Sequence, residues 1–170
     1  EIKNPPCATV IAVDGEIPHG TICHPQRKNV EKPVKTSIHY AVDGGGAIIQ
    51  GALEKDICNH AGGSNDRKSI GIEMCGRPYV DPGQGSKGLY SKMYNDAMID
   101  KTAELCAGIC KRWNLTPDRS TLIGHEEINP SRRSDPGVSL NPGKGSYPAG
   151  NYWNWDDFVA RVQAFYAGAR

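Results

Sequence analysis

Residues Gly124 to Gly137 read GHEEINPSRRSDPG, and this stretch places His125 and Asp135 ten positions apart around a proline-stiffened loop. The apolar lead-in Leu122-Ile123 reads as a short strand that delivers His125 at its end. Pro130 and Pro136 restrict the loop that brings Asp135 back. Imidazole and carboxylate are both ligands for a divalent, zinc-like ion, so the pair reads as two donors of a metal site. On chemistry alone a bland reading stands beside it, because histidine and aspartate in one loop also serve as solvated or turn-forming groups.

Outward from that stretch, the chain alternates short strands with two amphipathic helices. Ala8 to Val13 is an apolar, β-branched run suited to a buried strand. Ser37 to Val42 and Ala47 to Gln50 flank Asp43-Gly44-Gly45-Gly46, whose glycines suit a tight connection, so a hairpin is expected. Ser69 to Cys75 supplies another strand and Thr121 to Ile123 a last one. Met98, Thr102, Leu105, Cys106, Ile109 and Trp113 recur at three- and four-residue intervals and predict a helix from about Ser91 to Trp113. Phe158, Val159, Val162, Phe165 and Tyr166 predict a second over Trp155 to Ala167, with Asn154 as its N-cap. Gly15 to Lys35, Arg77 to Gly88 and Ser139 to Asn151 read as loops. The expected architecture is α/β, a mixed central sheet flanked by helices, in a single domain spanning 1–170.

Composition narrows the function. A chain of 170 residues can bury a core of its own, and its 38% hydrophobic and 23% charged residues are ordinary for a globular protein. A formal net charge of +1, with no basic run, gives no electrostatic case for nucleic acid. No apolar stretch approaches membrane-spanning length, and the start shows no signal-peptide pattern. Because the chain opens on Glu1, a removed leader or tag and a fragment of a longer protein both stay open. Six cysteines, Cys7, Cys23, Cys58, Cys75, Cys106 and Cys110, favour an oxidising compartment, and their pairing cannot be read from spacing. Cys106 and Cys110, one helical turn apart, also fit as buried small apolar groups.

Five blocks in order, Ser37-Ile38-His39-Tyr40-Ala41-Val42-Asp43-Gly44, Asn59-His60-Ala61-Gly62, Ser69-Ile70-Gly71-Ile72-Glu73, Gly124 to Gly137, and Trp155-Asp156-Asp157-Phe158, form one pattern. It resembles the type 2 N-acetylmuramoyl-L-alanine amidases, which include peptidoglycan recognition proteins and phage lysozyme-like amidases, from about Thr9 to Phe158. The resemblance implies a Zn2+-dependent hydrolase that cuts the amide between the lactyl group of N-acetylmuramic acid and L-alanine of the stem peptide. Its partner is then peptidoglycan, as muropeptide. The expected state is a monomer acting in an extracellular or periplasmic setting, with a cytoplasmic phage lysin as the other possibility.

The resemblance carries residue roles with it. His125 matches the second metal histidine and Asp135 the third ligand. The first histidine of the family ends the first strand, and here Ile11-Ala12-Val13-Asp14-Gly15 puts Asp14 in its place. Three readings follow: Asp14 is itself a ligand, His19 or His24 substitutes, or the chain is a non-catalytic peptidoglycan-binding receptor. Glu73 stands where bacterial members carry a catalytic glutamate. Arg133 stands where relatives carry lysine, as a cation for the oxyanion of the tetrahedral intermediate. His60 and Asn59 match the WHAG segment that lines the substrate cleft, with Asn59 replacing the tryptophan. His39 reads as structural, bonded within the sheet.

Overall fold

The computed structural model describes residues 7–13 as backbone, and residues 37–75, 94–131, 133, 135, 136 and 153–169 with their side chains. Five strands, β1 (Cys7–Val13), β2 (Tyr40–Val42), β3 (Ile48–Gln50), β4 (Ser69–Cys75) and β5 (Leu122–Gly124), form one sheet in the order β3-β2-β4-β1-β5. β1 pairs in parallel with both β4 and β5, β2 is parallel to β4, and only β3 runs antiparallel, to β2. The sheet is therefore mixed, as its sequence predicts.

The hairpin β2–β3 closes through Asp43, whose Oδ1 accepts from the amides of Gly45 and Ala47 at 2.8 Å each. Gly46 has φ 82, and a Cβ there would meet the Ala97 carbonyl oxygen at 3.0 Å and Lys101 Cγ at 2.8 Å, so this glycine is required both by the turn and by the helix behind it. The strand expected from Ser37 is shorter, Tyr40–Val42; just before it the Gly71 amide of β4 donates to the His39 ring at Nδ1 rather than to a backbone carbonyl, and the ring's Nε2 donates to the Asp56 carbonyl.

Helix α1 spans Asp96–Trp113, α2 is a single turn at His125–Ile128, and α3 spans Trp155–Ala167. The periodicity placed the start of α1 near Ser91; it starts at Asp96, because the Asn95 side chain accepts from the Met98 amide and caps the helix there. Asn154 caps α3 as expected, accepting from the Asp157 amide. Alternation along β4 divides its side chains. Ile70, Ile72 and Met74 enter a core shared with Met98, Ile99, Cys106 and Ile109 of α1 and Phe158 and Val162 of α3, while Ser69, Gly71 and Glu73 take the other face. Each large apolar side chain so buried contributes about 1.5–3 kcal/mol. Arg161 of α3 ties the two helices together by donating to Asp100 of α1 at 2.6 Å, and is braced within α3 by Asp157 at 2.8 Å. Cys106 and Cys110 are free thiols buried in this core, as expected of small apolar groups. No helix among the described residues is long and apolar enough to cross a membrane.

Candidate active site

The register of the parallel strands sets the site. Gly124 of β5 is level with Val10 of β1, and Val10 is level with Ile72 of β4. One residue further along each outer strand come His125 and Glu73, with Ile11 between them. Two strand spacings separate these positions by about 10 Å, a span that a bound substrate fits across. Ligands of open parallel sheets bind at this carboxyl end of the strands.

His125 is the first residue of α2. It is buried, and its Nδ1 lies 3.0 Å from Asp135 Oδ2. The loop that joins them is pinned where it returns, because the Glu126 amide donates to the Asp135 carbonyl at 3.0 Å. The Asp135–Pro136 peptide is cis. Two donors of one tetrahedral zinc, each bonded at 2.0–2.1 Å, stand about 3.3 Å apart. The observed spacing thus suits a shared ion as well as a direct hydrogen bond, and imidazole plus carboxylate is a donor set that such an ion accepts. Among the described residues no group of three histidine, cysteine, aspartate or glutamate side chains is placed to hold a metal. Asp14, His19 and His24, the three candidates for a further ligand, lie outside the described residues.

Glu73 is buried, and its Oε2 meets no hydrogen-bond partner among the described residues. Burial, then the charge of Asp135, push its pKa up to about 7 against a smaller opposing pull from Arg133. A carboxyl group held near neutrality can both take and give a proton. Arg133 is itself exposed, on the loop between α2 and Asp135, with its amide donating to the Asn129 carbonyl.

The Asn59-His60-Ala61-Gly62 turn lies over Glu73's face of β4, where a Cβ at Gly71 would meet the His60 ring. Asp66, from a 3-10 helix over Gly63–Arg67, holds it by accepting from the amides of His60, Ala61 and Gly62 through one oxygen, at 2.8–3.0 Å. His60 is buried; its Nδ1 donates to the Cys58 carbonyl, and its Nε2 lies 2.8 Å from the Ser69 hydroxyl. Burial lowers its pKa to about 4, so the ring is neutral. Asn59 is exposed, and its amide donates to Ser37 Oγ.

Besides Asp66, the buried polar residues Glu126 and Tyr94 escaped the sequence reading. Glu126 follows His125, and neither of its carboxylate oxygens meets a partner among the described residues; burial is the main cause that raises its pKa, to about 8. Its side chain folds back over Gly124, where a Cβ would collide with the carboxylate oxygens. The Tyr94 hydroxyl, fully buried, likewise has no partner among the described residues. An acid near the start of a short helix reads in sequence as a solvated capping group, and a tyrosine before a helix reads as core, so neither signalled its burial in advance.

Fold and site together define an α/β domain with acid and imidazole groups gathered at the carboxyl edge of a mixed sheet. The sequence model of the N-acetylmuramoyl-L-alanine amidase family matches residues 9–138, and the chain belongs to that family. It is 28% identical over 131 residues to the 1,6-anhydro-N-acetylmuramyl-L-alanine amidase AmpD of Haemophilus influenzae, a match that covers 76% of this chain and 60% of that protein. The chain thus spans about 60% of the length of this curated relative. Among solved structures, the amidase AmiD from E. coli, in complex with the substrate anhydro-N-acetylmuramic acid-L-Ala-D-gamma-Glu-L-Lys, shares the fold with a TM-score of 0.58 at 20% identity, over 92% of this chain and 56% of that one. A selenomethionine AmpD gives 0.58 at 22% identity, over 96% and 86%. The amidase LysC from Clostridium intestinale URNW gives 0.59 at 15%, over 96% and 89%.

Proposed function

We propose that this chain is a zinc-dependent peptidoglycan hydrolase that cleaves the amide between the lactyl group of N-acetylmuramic acid and L-alanine of the stem peptide. The observation that carries the reading is the buried Glu73 carboxyl, whose Oε2 meets no partner among the described residues, on the same sheet edge as the His125–Asp135 pair. Membership of the amidase family supports it.

His125 and Asp135 would hold the ion, with Asp14 as the third protein ligand or a loop histidine in its place. When bound, zinc supplies Lewis acidity to a carbonyl and acidifies water. Glu73, as carboxylate, takes a proton from the attacking water at its buried Oε2 and returns it to the departing amine of L-alanine. Arg133 offers a guanidinium to the oxyanion that develops on the lactyl carbonyl oxygen. Exposed Asn59, where relatives have tryptophan, presents a polar wall to the glycan in place of an apolar one.

The test is release of soluble stem peptide from purified cell walls by the zinc-loaded protein, with metal content measured on the same sample. Hydrolysis that is lost with a chelator and restored by zinc supports the reading. Binding to walls with no peptide release and no metal would move the chain to the receptor class, the outcome that Asp14 at the first ligand position makes worth separating.

A further inference from the structure

A one-turn helix has little stability of its own, because helix nucleation costs more than a single turn returns. α2 has only four residues, and β5 before it only three. The direction of the His125 ring must therefore be imposed by side-chain bonds that brace these elements and tie them to the rest of the fold. Glu127 does part of this: its Oε2 accepts from the Gly124 amide at 2.7 Å, fixing the backbone one residue before His125. Arg119 holds Glu127 in turn. Its Nη2 donates to Glu127 Oε2 at 2.5 Å, its Nη1 donates to the Leu122 carbonyl of β5, and its guanidinium carbon lies 3.5 Å from the centroid of the Trp155 ring of α3.

We infer that Arg119, Glu127 and Trp155 form a positioning clamp that ties the His125 turn to β5 and α3, and so sets the donor geometry and metal affinity of the site. The inference rests on the reading of His125 as a metal ligand. Both charged side chains are 35% exposed, and an ion pair in that setting adds little to global stability. Its structural consequence is directional: a planar fork stacked on an indole face admits one orientation, whereas a lone ammonium would not. Glu127 receives that orientation and passes it to the Gly124 amide.

The experiment measures zinc affinity by competition with a chromophoric chelator, together with the visible absorption of the cobalt(II)-substituted protein, in the parent and four variants. Glu127→Ala and Arg119→Ala are expected to bind zinc about 10- to 100-fold more weakly, the range for partners that orient a metal-bound histidine, and to shift the cobalt bands. Glu127→Gln keeps an acceptor for the Gly124 amide and should recover most of the affinity, a rescue that a merely charge-based role would not give. Arg119→Lys, the milder change should the alanine variant fold poorly, loses the fork and is expected to fall between parent and Arg119→Ala. Parent-like affinity and cobalt bands in all four variants would overturn the clamp. His125→Ala is the control: parent-like zinc binding there would overturn the ligand reading itself, whereas lost binding there beside intact clamp variants sinks the clamp alone.

Discussion

His125 Nδ1 and Asp135 Oδ2 meet at 3.0 Å across a ten-residue separation, inside the protein. The contact is built by the backbone bond from Glu126 to Asp135, which closes the loop between them. If the two share an ion, removing either should release it, because few protein donors remain. Elemental analysis of purified His125→Ala and Asp135→Ala is expected to show metal lost along with wall hydrolysis; unchanged metal in either would end that assignment.

Glu73→Gln keeps the shape of the side chain and removes the base. General base catalysis contributes about 10² to 10⁴ in rate, so turnover on cell walls should fall by that order while the melting curve matches or exceeds the parent's. Equal turnover in the two proteins would take Glu73 out of the mechanism.

The same residue makes the metal-free protein sensitive to pH. Its carboxyl titrates at about 7 in the fold against 4.5 ordinarily, so between those values the native state holds a proton that the unfolded chain has released. Stability is therefore full below about 4.5 and declines as pH rises through about 7, by up to ~3 kcal/mol at 1.36 kcal/mol per unit. Melting temperatures of the metal-free parent across this range should fall more steeply than those of metal-free Glu73→Gln, and parallel curves would show that burial does not strain the carboxylate.

Gly71 lies on β4 under the His60 ring, where a Cβ would come within 2.6 Å of Cγ and 2.7 Å of Cδ2. That ring is held at both nitrogens and cannot swing aside cheaply. Gly71→Ala is expected to cost about 1–3 kcal/mol, the usual penalty of overpacking, read as a lower denaturant midpoint with the slope unchanged. An unaltered midpoint would mean that the His60 turn yields.

Asp14→His tests the third ligand. Two imidazoles and one carboxylate form a softer and more Lewis-acidic set than one imidazole and two carboxylates, so the substitution should tighten zinc binding in a titration against the parent and Asp14→Ala. Three identical titrations would remove Asp14 from the ligand set and pass the role to His19 or His24.

Local pattern was enough for most of the elements. Ser69 to Cys75 and Trp155 to Ala167 were legible to the residue because period-two alternation and the three-to-four spacing of apolar groups act over neighbouring residues. The start of α1 was legible less well, since apolar periodicity runs on past the point where the Asn95 side chain closes the helix. His125, Asp135 and Glu73 stood out by residue type and family motif, together with the expectation that the first two share one loop.

Their arrangement belongs to the tertiary structure. That Glu73 and His125 fall one residue beyond the level positions Ile72 and Gly124, on strands far apart in the chain, depends on the parallel register through β1, which no local pattern encodes. Pairing across the sheet, burial of Glu73 and Glu126, and the stacking of Arg119 on Trp155 all join residues distant in the chain. Sequence by itself determined which acid, imidazole and guanidinium groups the chain offers and which segments form strands or helices, because those follow from residue type and short-range spacing. Only the packed fold decided which of those groups meet, which lose water and how their pKa values move, because desolvation and Coulomb forces depend on distance in space.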